Sequence, residues 1–357
     1  MSNSGSGSGS GRPIGLAVIG AGYWGPNLIR NAQATPALRV EWLCDLDEAR
    51  ARAVLGDYST VRVSTSYRDV LADPAVQAVA IATPAATHFE LVAAALEAGK
   101  HVLVEKPITA AYAEAVKLVE LAERTGLTLM CDHTFCYMPV VRHIREMIHG
   151  GELGDIRFFD SVRINLGLVQ PDVDVLWDLA PHDLSILDFI LPPGVRPVSV
   201  SAHGADPLGT GRACLAYLVL RLSNGAIAHV HVNWLSPTKV RTTIIGGSRR
   251  TLVWDDTNPA ARLQVHDKGV DRIEDTTLDH DARREKLISY RMGDVVLPAL
   301  PEREALRAVM AEFAEAIGAA RPALTDGRAG LRVLELLEAA SRSLELGGVA
   351  VAVGEQS

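Results

Sequence analysis

IGLAVIGAGYWG, running from Ile14 to Gly25, places a GxGxxG pattern directly behind an apolar strand and at the opening of a helix. That context makes the motif specific for a dinucleotide pyrophosphate. Gly20 permits the tight turn and Gly22 lets the backbone approach the phosphates. Gly25 lets the helix pack on the strand, while the helix N-terminus offers unpaired N–H groups to the anion. Tyr23 and Trp24 fill the two variable places of the loop and count among the candidate cofactor contacts.

Working outward, short β-rich runs alternate with helical stretches as far as about residue 132. The runs are IGLAVIG, LRVEWLC, VRVST, VQAVAIAT, HVLVEKP and LTLMCDH. Six strands joined by crossover helices predict a doubly wound parallel sheet covered on both faces, a Rossmann domain over residues 13–134. Asp45 ends the second run twenty residues after Gly25, where a carboxylate accepts hydrogen bonds from an adenosine ribose diol and repels a 2′-phosphate. The next residue is Leu46 rather than Arg or Lys, so NAD is preferred over NADP. Asp45 also suits the role of a cap for the helix in DEARARA.

After about Phe135 the rhythm changes. A helical stretch, MPVVRHIREMIHGG, gives way to strands with few helices between them: RFFDSVRINL, RPVSVSAHGA, ACLAYLVLRL, AIAHVHVNWL and VRTTIIGG. A turn at Ser223-Asn224-Gly225 joins two of them as a hairpin. A mostly antiparallel sheet in an α+β domain over residues 135–357 is the expectation. Two helices close it, EREALRAVMAEFAEAIGAA entered by Pro301 and GRAGLRVLELLEAASRSLELG preceded by Thr325-Asp326 as a cap.

Length and composition agree with two domains. The chain has 357 residues, 48% of them hydrophobic, and 35 Lys plus Arg against 43 Asp plus Glu give a net charge of −8 without a basic run. Nucleic acid and anionic membrane are thereby poor partners. No apolar stretch reaches the roughly 18 residues that span a bilayer, and the N-terminus lacks a signal peptide's order, which predicts a cytoplasmic protein. Residues 1–12 are set apart as a flexible tail, since MSNSGSGSGSG cannot pack a core. Cys44, Cys131, Cys136 and Cys214 show no paired CxxC spacing and read as buried thiols.

Two further segments carry chemistry. Glu105-Lys106-Pro107 ends the fifth strand, at the sheet edge where open α/β folds bind ligands. WDLAPHD, Trp177 to Asp183, precedes LSILDFI; with a helix beginning just before Pro181, Asp178 and His182 sit four apart and point to one side. Alcohol oxidation needs a base for the hydroxyl proton, and a histidine such as His182 titrates in the right range. Lys106 can hold the hydroxyl and stabilise alkoxide charge. Asp178 can orient the imidazole or bind a neighbouring hydroxyl. A metal centre is disfavoured. His229 and His231 share a strand face without a third ligand, and Cys131, His133, Cys136 and His143 depart from zinc-ribbon spacing.

These residues together resemble the Gfo/Idh/MocA oxidoreductases. The likeness runs from Ile14 to about Val353 through GAGYWG, Asp45, ATPAATH, EKP, DHTFCYMP, WDLAPHDLSIL and TDGRAGLRVLELLEAASRS. It implies a Rossmann domain followed by a domain whose open sheet face serves a homodimer or homotetramer. It implies Lys106, Asp178 and His182 as the catalytic set, with Thr83, Pro84, His88 and Glu105 near the cofactor and His133 and Tyr137 lining the substrate cleft. VRINLGLVQPDVDVLWDLAPHDLSIL looks most like bacterial nucleotide-sugar 3-dehydrogenases and aminosugar-pathway enzymes. That implies hydride transfer at C3 of a hexose or nucleotide-sugar, with Arg163 and Asn165 as substrate contacts, since Arg pairs bidentately with phosphate or carboxylate. An inositol dehydrogenase is the alternative, and a non-catalytic dinucleotide sensor the rival without chemistry.

Overall fold

The computed structural model describes residues 12–170, 173–272 and 288–354. The expected tail at residues 1–12 lies, except for Arg12, outside them. The chain forms two compact units, one reaching to Asp132 and taking in Leu306–Arg328, the other made of His133–Ala305 and Ala329 onward.

The first unit is built on a parallel sheet of β1 (Ile14–Ile19), β2 (Leu38–Cys44), β3 (Arg62–Ser64), β4 (Ala78–Ile81), β5 (His101–Glu105) and β6 (Leu129–Asp132). Its order, β3-β2-β1-β4-β5-β6, is the doubly wound order expected from the alternating pattern. The connecting helices are α1 (Gly25–Gln33), α2 (Glu48–Leu55), α3 (Tyr67–Ala72), α4 (His88–Glu97) and α5 (Tyr112–Thr125). β1 and β4 are buried almost throughout because helices cover both sheet faces, so their sequences read as unbroken apolar runs.

Residues Leu306–Arg328 were expected in the second domain; the structure groups them with the first. The physical reason lies at the sheet's edge. Cys131 donates its N–H to the Thr325 carbonyl at 2.8 Å, and Thr325 Oγ1 donates back to the Cys131 carbonyl at 2.7 Å. The segment thus occupies hydrogen-bonding groups that an edge strand leaves open.

The second unit carries α6 (Pro139–His149), β7 (Ile156–Leu166), α7 (Val175–Ile190), β8 (Pro197–Ala205), β9 (Leu215–Leu222), β10 (Ile227–Asn233), β11 (Leu235–Gly247), β12 (Thr251–Asp255), β13 (Leu263–Arg272) and β14 (Ile288–Val296). α8 (Ala305–Ala319), α9 (Gly327–Glu345) and β15 (Val351–Ala352) complete the chain. The nine-stranded sheet has the order β14-β13-β12-β11-β7-β10-β9-β8-β15 and is antiparallel except for β10 beside β7. β9 shows the period-two alternation of a half-covered sheet: Ala216, Leu218, Leu220 and Leu222 are buried, while Tyr217, Val219 and Arg221 are exposed. α7 packs on β9 and β10, and Leu184 and Leu187 are among its buried apolar side chains. Each such side chain contributes about 1.5–3 kcal/mol by its burial.

α7 corrects one expectation. It begins at Val175 rather than just before Pro181, and Pro181 lies inside it. Asp174 caps it, accepting the Trp177 N–H at 3.0 Å. No helix among the described residues is long and apolar enough to cross a membrane.

Candidate active site

The glycine loop is shaped as its sequence requires. Gly20 has φ +103°, and a Cβ there would lie 2.4 Å from the Ala82 carbonyl oxygen. A Cβ on Gly25 would meet the Gly20 carbonyl oxygen at 2.2 Å, so only glycine lets α1 start so close to β1. At Gly22 the same construction finds nothing within 4 Å, leaving the loop open to an approaching group. No side chain caps α1 at Trp24. Pro26 brings no N–H and Asn27 already donates its N–H to the Trp24 carbonyl at 2.9 Å, so donors for an anion are confined to the loop amides ahead of Pro26. Tyr23 is 87% exposed and meets Trp24 edge-to-face at 5.7 Å.

Asp45 follows β2 directly. Its Oδ2 accepts the Ala21 N–H at 2.6 Å and its Oδ1 the Asp47 N–H at 2.8 Å, which fixes the carboxylate beside the loop. The cap of α2 is Asp47, which accepts the Arg50 N–H at 3.0 Å, so the alternative role considered for Asp45 belongs to its neighbour. Arg50 reaches within 3.7 Å of Asp45, placing a guanidinium where the sequence, read only at Leu46, showed none.

At the ends of β4 and β5 the backbone is held by His88. Its Nδ1 lies 2.8 Å from the Pro107 carbonyl oxygen and its Nε2 2.9 Å from that of Thr83. Burial lowers its pKa and outweighs the two carbonyl contacts, which pull the other way. Thr83 is half-buried and Pro84 exposed, and the Thr87 hydroxyl bridges Thr83 Oγ1 and the Pro84 carbonyl, each at 2.8 Å. Glu105 pairs in register with Asp132 on β6, and both are buried. Burial, with the Asp132 charge added to it, pushes the Glu105 carboxyl well above the usual range; Lys106 acts in the opposite direction. Lys106 is half-buried and joined to Pro107 by a cis peptide bond.

In the second unit, α7 presents Asp178 and His182 one turn apart, both half-buried. Trp234, 1% exposed, donates its indole N–H to Asp178 Oδ2 at 3.0 Å. Phe135 packs against the His182 ring with centroids 4.9 Å apart. Arg163, expected to meet substrate, is 4% exposed; its Nε and Nη2 donate to the buried Asp183 carboxylate at 2.7 and 3.1 Å. His133 and Tyr137 are each 2% exposed, whereas Asn165 is half-buried. Trp234, Phe135 and Asp183 were not singled out from sequence. Asp183 carried the one available signal, as the acidic neighbour of His182. His229 and His231 lie on one face of β10, where Tyr217 stacks at 4.2 Å on His231. The four cysteines are buried thiols.

Comparison with known proteins agrees with this geometry. Residues 14–133 match the model of an oxidoreductase family with an NAD-binding Rossmann fold, and residues 141–253 match the GFO/IDH/MocA C-terminal domain. The UDP-N-acetylglucosamine 3-dehydrogenase of Acidithiobacillus ferrooxidans is 30% identical over 331 residues, covering 89% of this chain and 93% of that one. A solved structure of that enzyme superposes with a TM-score of 0.78, covering 93% and 98% of the two chains. Inositol 2-dehydrogenase 2 of Saccharopolyspora erythraea is 29% identical over 224 residues, 61% of this chain and 66% of the relative. The chain belongs to the Gfo/Idh/MocA family of oxidoreductases, and its first unit is that family's NAD-binding Rossmann fold.

Proposed function

We propose that the protein oxidises or forms a secondary alcohol at C3 of a hexose or nucleotide-sugar, with NAD as cofactor. The observation that carries the chemistry is the pairing of Asp178 and His182 on one face of α7. The choice of C3 is supported by similarity along nearly the whole chain to a UDP-N-acetylglucosamine 3-dehydrogenase.

The residues of the first unit fit a dinucleotide. The open side of Gly22, the loop amides ahead of Pro26 and the fixed Asp45 carboxylate would supply a close approach, amide donors and a ribose acceptor. Gly20, Gly22, Tyr23, Trp24 and Gly25 would hold the pyrophosphate and Asp45 the ribose, with Thr83, Pro84, His88 and Glu105 beside the nicotinamide half. When bound, NAD supplies a two-electron hydride acceptor.

In the oxidative direction His182 takes the hydroxyl proton as the carbon gives up its hydride, and in reduction it returns that proton. Lys106 holds the hydroxyl oxygen and stabilises the negative charge that develops there. Trp234 orients the Asp178 carboxylate, which then grips a neighbouring hydroxyl or fixes the imidazole. The His88 ring sits between the Thr83 and Pro107 carbonyls, donates its single N–H to one of them, and so helps set the backbone from which Lys106 projects.

A polyol such as an inositol is the second reading, favoured by the inositol 2-dehydrogenase relative. Self-association as a homodimer or homotetramer is supported by the uncovered face of the second sheet. The strand register puts Phe158, Tyr217, Val219 and Ile227 there together, 36 to 46% exposed.

The test is a UDP-N-acetylhexosamine carrying deuterium at C3. Deuterium recovered on the reduced nicotinamide supports the C3 reading. Turnover that leaves the deuterium in the sugar sinks it.

A further inference from the structure

Asp183, the residue after the candidate base, anchors a charge network in the core of the second unit. Its carboxylate accepts from Ser161 Oγ at 2.8 Å and from both Nε and Nη2 of Arg163. Ser161, Arg163 and Asp183 are 1%, 4% and 1% exposed, so the fork closes away from water. The Arg163 guanidinium lies over the Phe135 ring, 4.3 Å from its centroid, and the same ring packs on His182. Arg241 approaches that ring at 5.9 Å and is paired with Asp256 at 3.5 Å. The charged and titratable groups around this stretch of α7 include Asp178 and Asp183 on the helix, Arg163 on β7, Arg241 on β11, Asp256 after β12, and Cys136, whose thiol reaches the Ser185 carbonyl at 3.5 Å.

A buried ion pair is a poor means of stabilising a core, because well-packed apolar residues of similar volume do as well or better. Arg163 is also closed to substrate, since its fork is spent on Asp183. We propose that the Arg163–Asp183 pair, acting through the Phe135 ring, is a positioning device that fixes the His182 imidazole and balances the charge around it. The proposal rests on the reading of His182 as the base. The pair locks the backbone of α7 at residue 183 onto β7, and Phe135 touches both the guanidinium and the imidazole. Each partner alone would bias the imidazole: a lone carboxylate favours its protonated form, a lone guanidinium opposes it.

Opposite signs make this testable through the pH dependence of kcat/KM, whose acidic limb reports the base. Arg163→Met leaves the carboxylate unbalanced and should move the limb up by roughly one pH unit, while Asp183→Asn should move it down by about as much. The double variant should restore the limb and keep dinucleotide Kd unchanged, with kcat still lowered about tenfold because the ring has lost its support. Limbs that move in the same direction, or do not move, overturn the proposal. Where the single variants do not fold, the double variant decides, and a parental kcat there overturns it. His182→Asn separates the two levels of the argument. If it keeps the parental kcat and limb, the base assignment has failed, whatever the pair does.

Discussion

At Asp45 two backbone N–H groups converge on one carboxylate while Arg50 waits 3.7 Å away, and in the proposed function cofactor choice turns on that balance. Replacing Asp45 by Ser removes the charge that repels a 2′-phosphate and leaves Arg50 to meet one. The preference for NAD over NADP, measured as the ratio of kcat/KM values, should fall by at least about tenfold, or roughly 1.4 kcal/mol. A ratio that stays put shows that Asp45 does not read the ribose. Lys106→Met and His182→Ala should each lower kcat by about 10²–10⁴-fold while dinucleotide Kd moves little, since neither is assigned to hold the dinucleotide. Calorimetric titration with steady-state rates checks both halves of that statement. The backbone roles of Gly20 and Gly25 were legible in the sequence because they follow from local geometry, as was the place of Asp45 beside the loop. Arg163 and Trp234 were not, since their partners Asp183 and Asp178 lie 20 and 56 residues away and meet them only through tertiary packing.

Among the elements, the paired ends of β5 and β6 carry a pH signature. Glu105 has its pKa raised by burial beside Asp132, so the folded state favours the protonated carboxyl. The sign follows: this contribution to stability is complete below the ordinary value of 4.5 and is lost as pH rises through the raised folded value. Glu105→Gln, which keeps a donor for Asp132 and cannot ionise, should match the parent's Tm near the ordinary carboxylate pKa and exceed it at alkaline pH. Equal Tm values across the range would remove the buried-acid account. The strand–helix rhythm to residue 132 was readable because period and length agree there. Pro181 misled, because a proline inside a helix is rare; α7 starts six residues earlier, capped at Asp174, and carries Pro181 in its interior without the N–H that would bond the Trp177 carbonyl. β12 to β15 went unread for other reasons. β12 spans five residues and β15 two, and β13 and β14 mix glycine and charge into their alternation.

At the scale of the whole molecule, the grouping of Leu306–Arg328 with the Rossmann unit was hidden from sequence. A pair of hydrogen bonds between Thr325 and Cys131, 194 residues apart, leaves no local pattern. The uncovered sheet face predicts self-association: light scattering should give at least a dimer, and Val219→Asp, placing a charge among Phe158, Tyr217 and Ile227, should lower the mass. A parental monomer at working concentration removes the expectation. The central claim, hydride transfer at a sugar hydroxyl, is tested most directly by following reduced-nicotinamide absorbance with purified protein and NAD or NADP. The panel is UDP- and dTDP-hexoses, free hexoses, hexose phosphates and inositols. The account predicts turnover with NAD and a nucleotide-sugar or hexose, abolished in His182→Ala. Absorbance that stays flat with every member while NAD binds would contradict it.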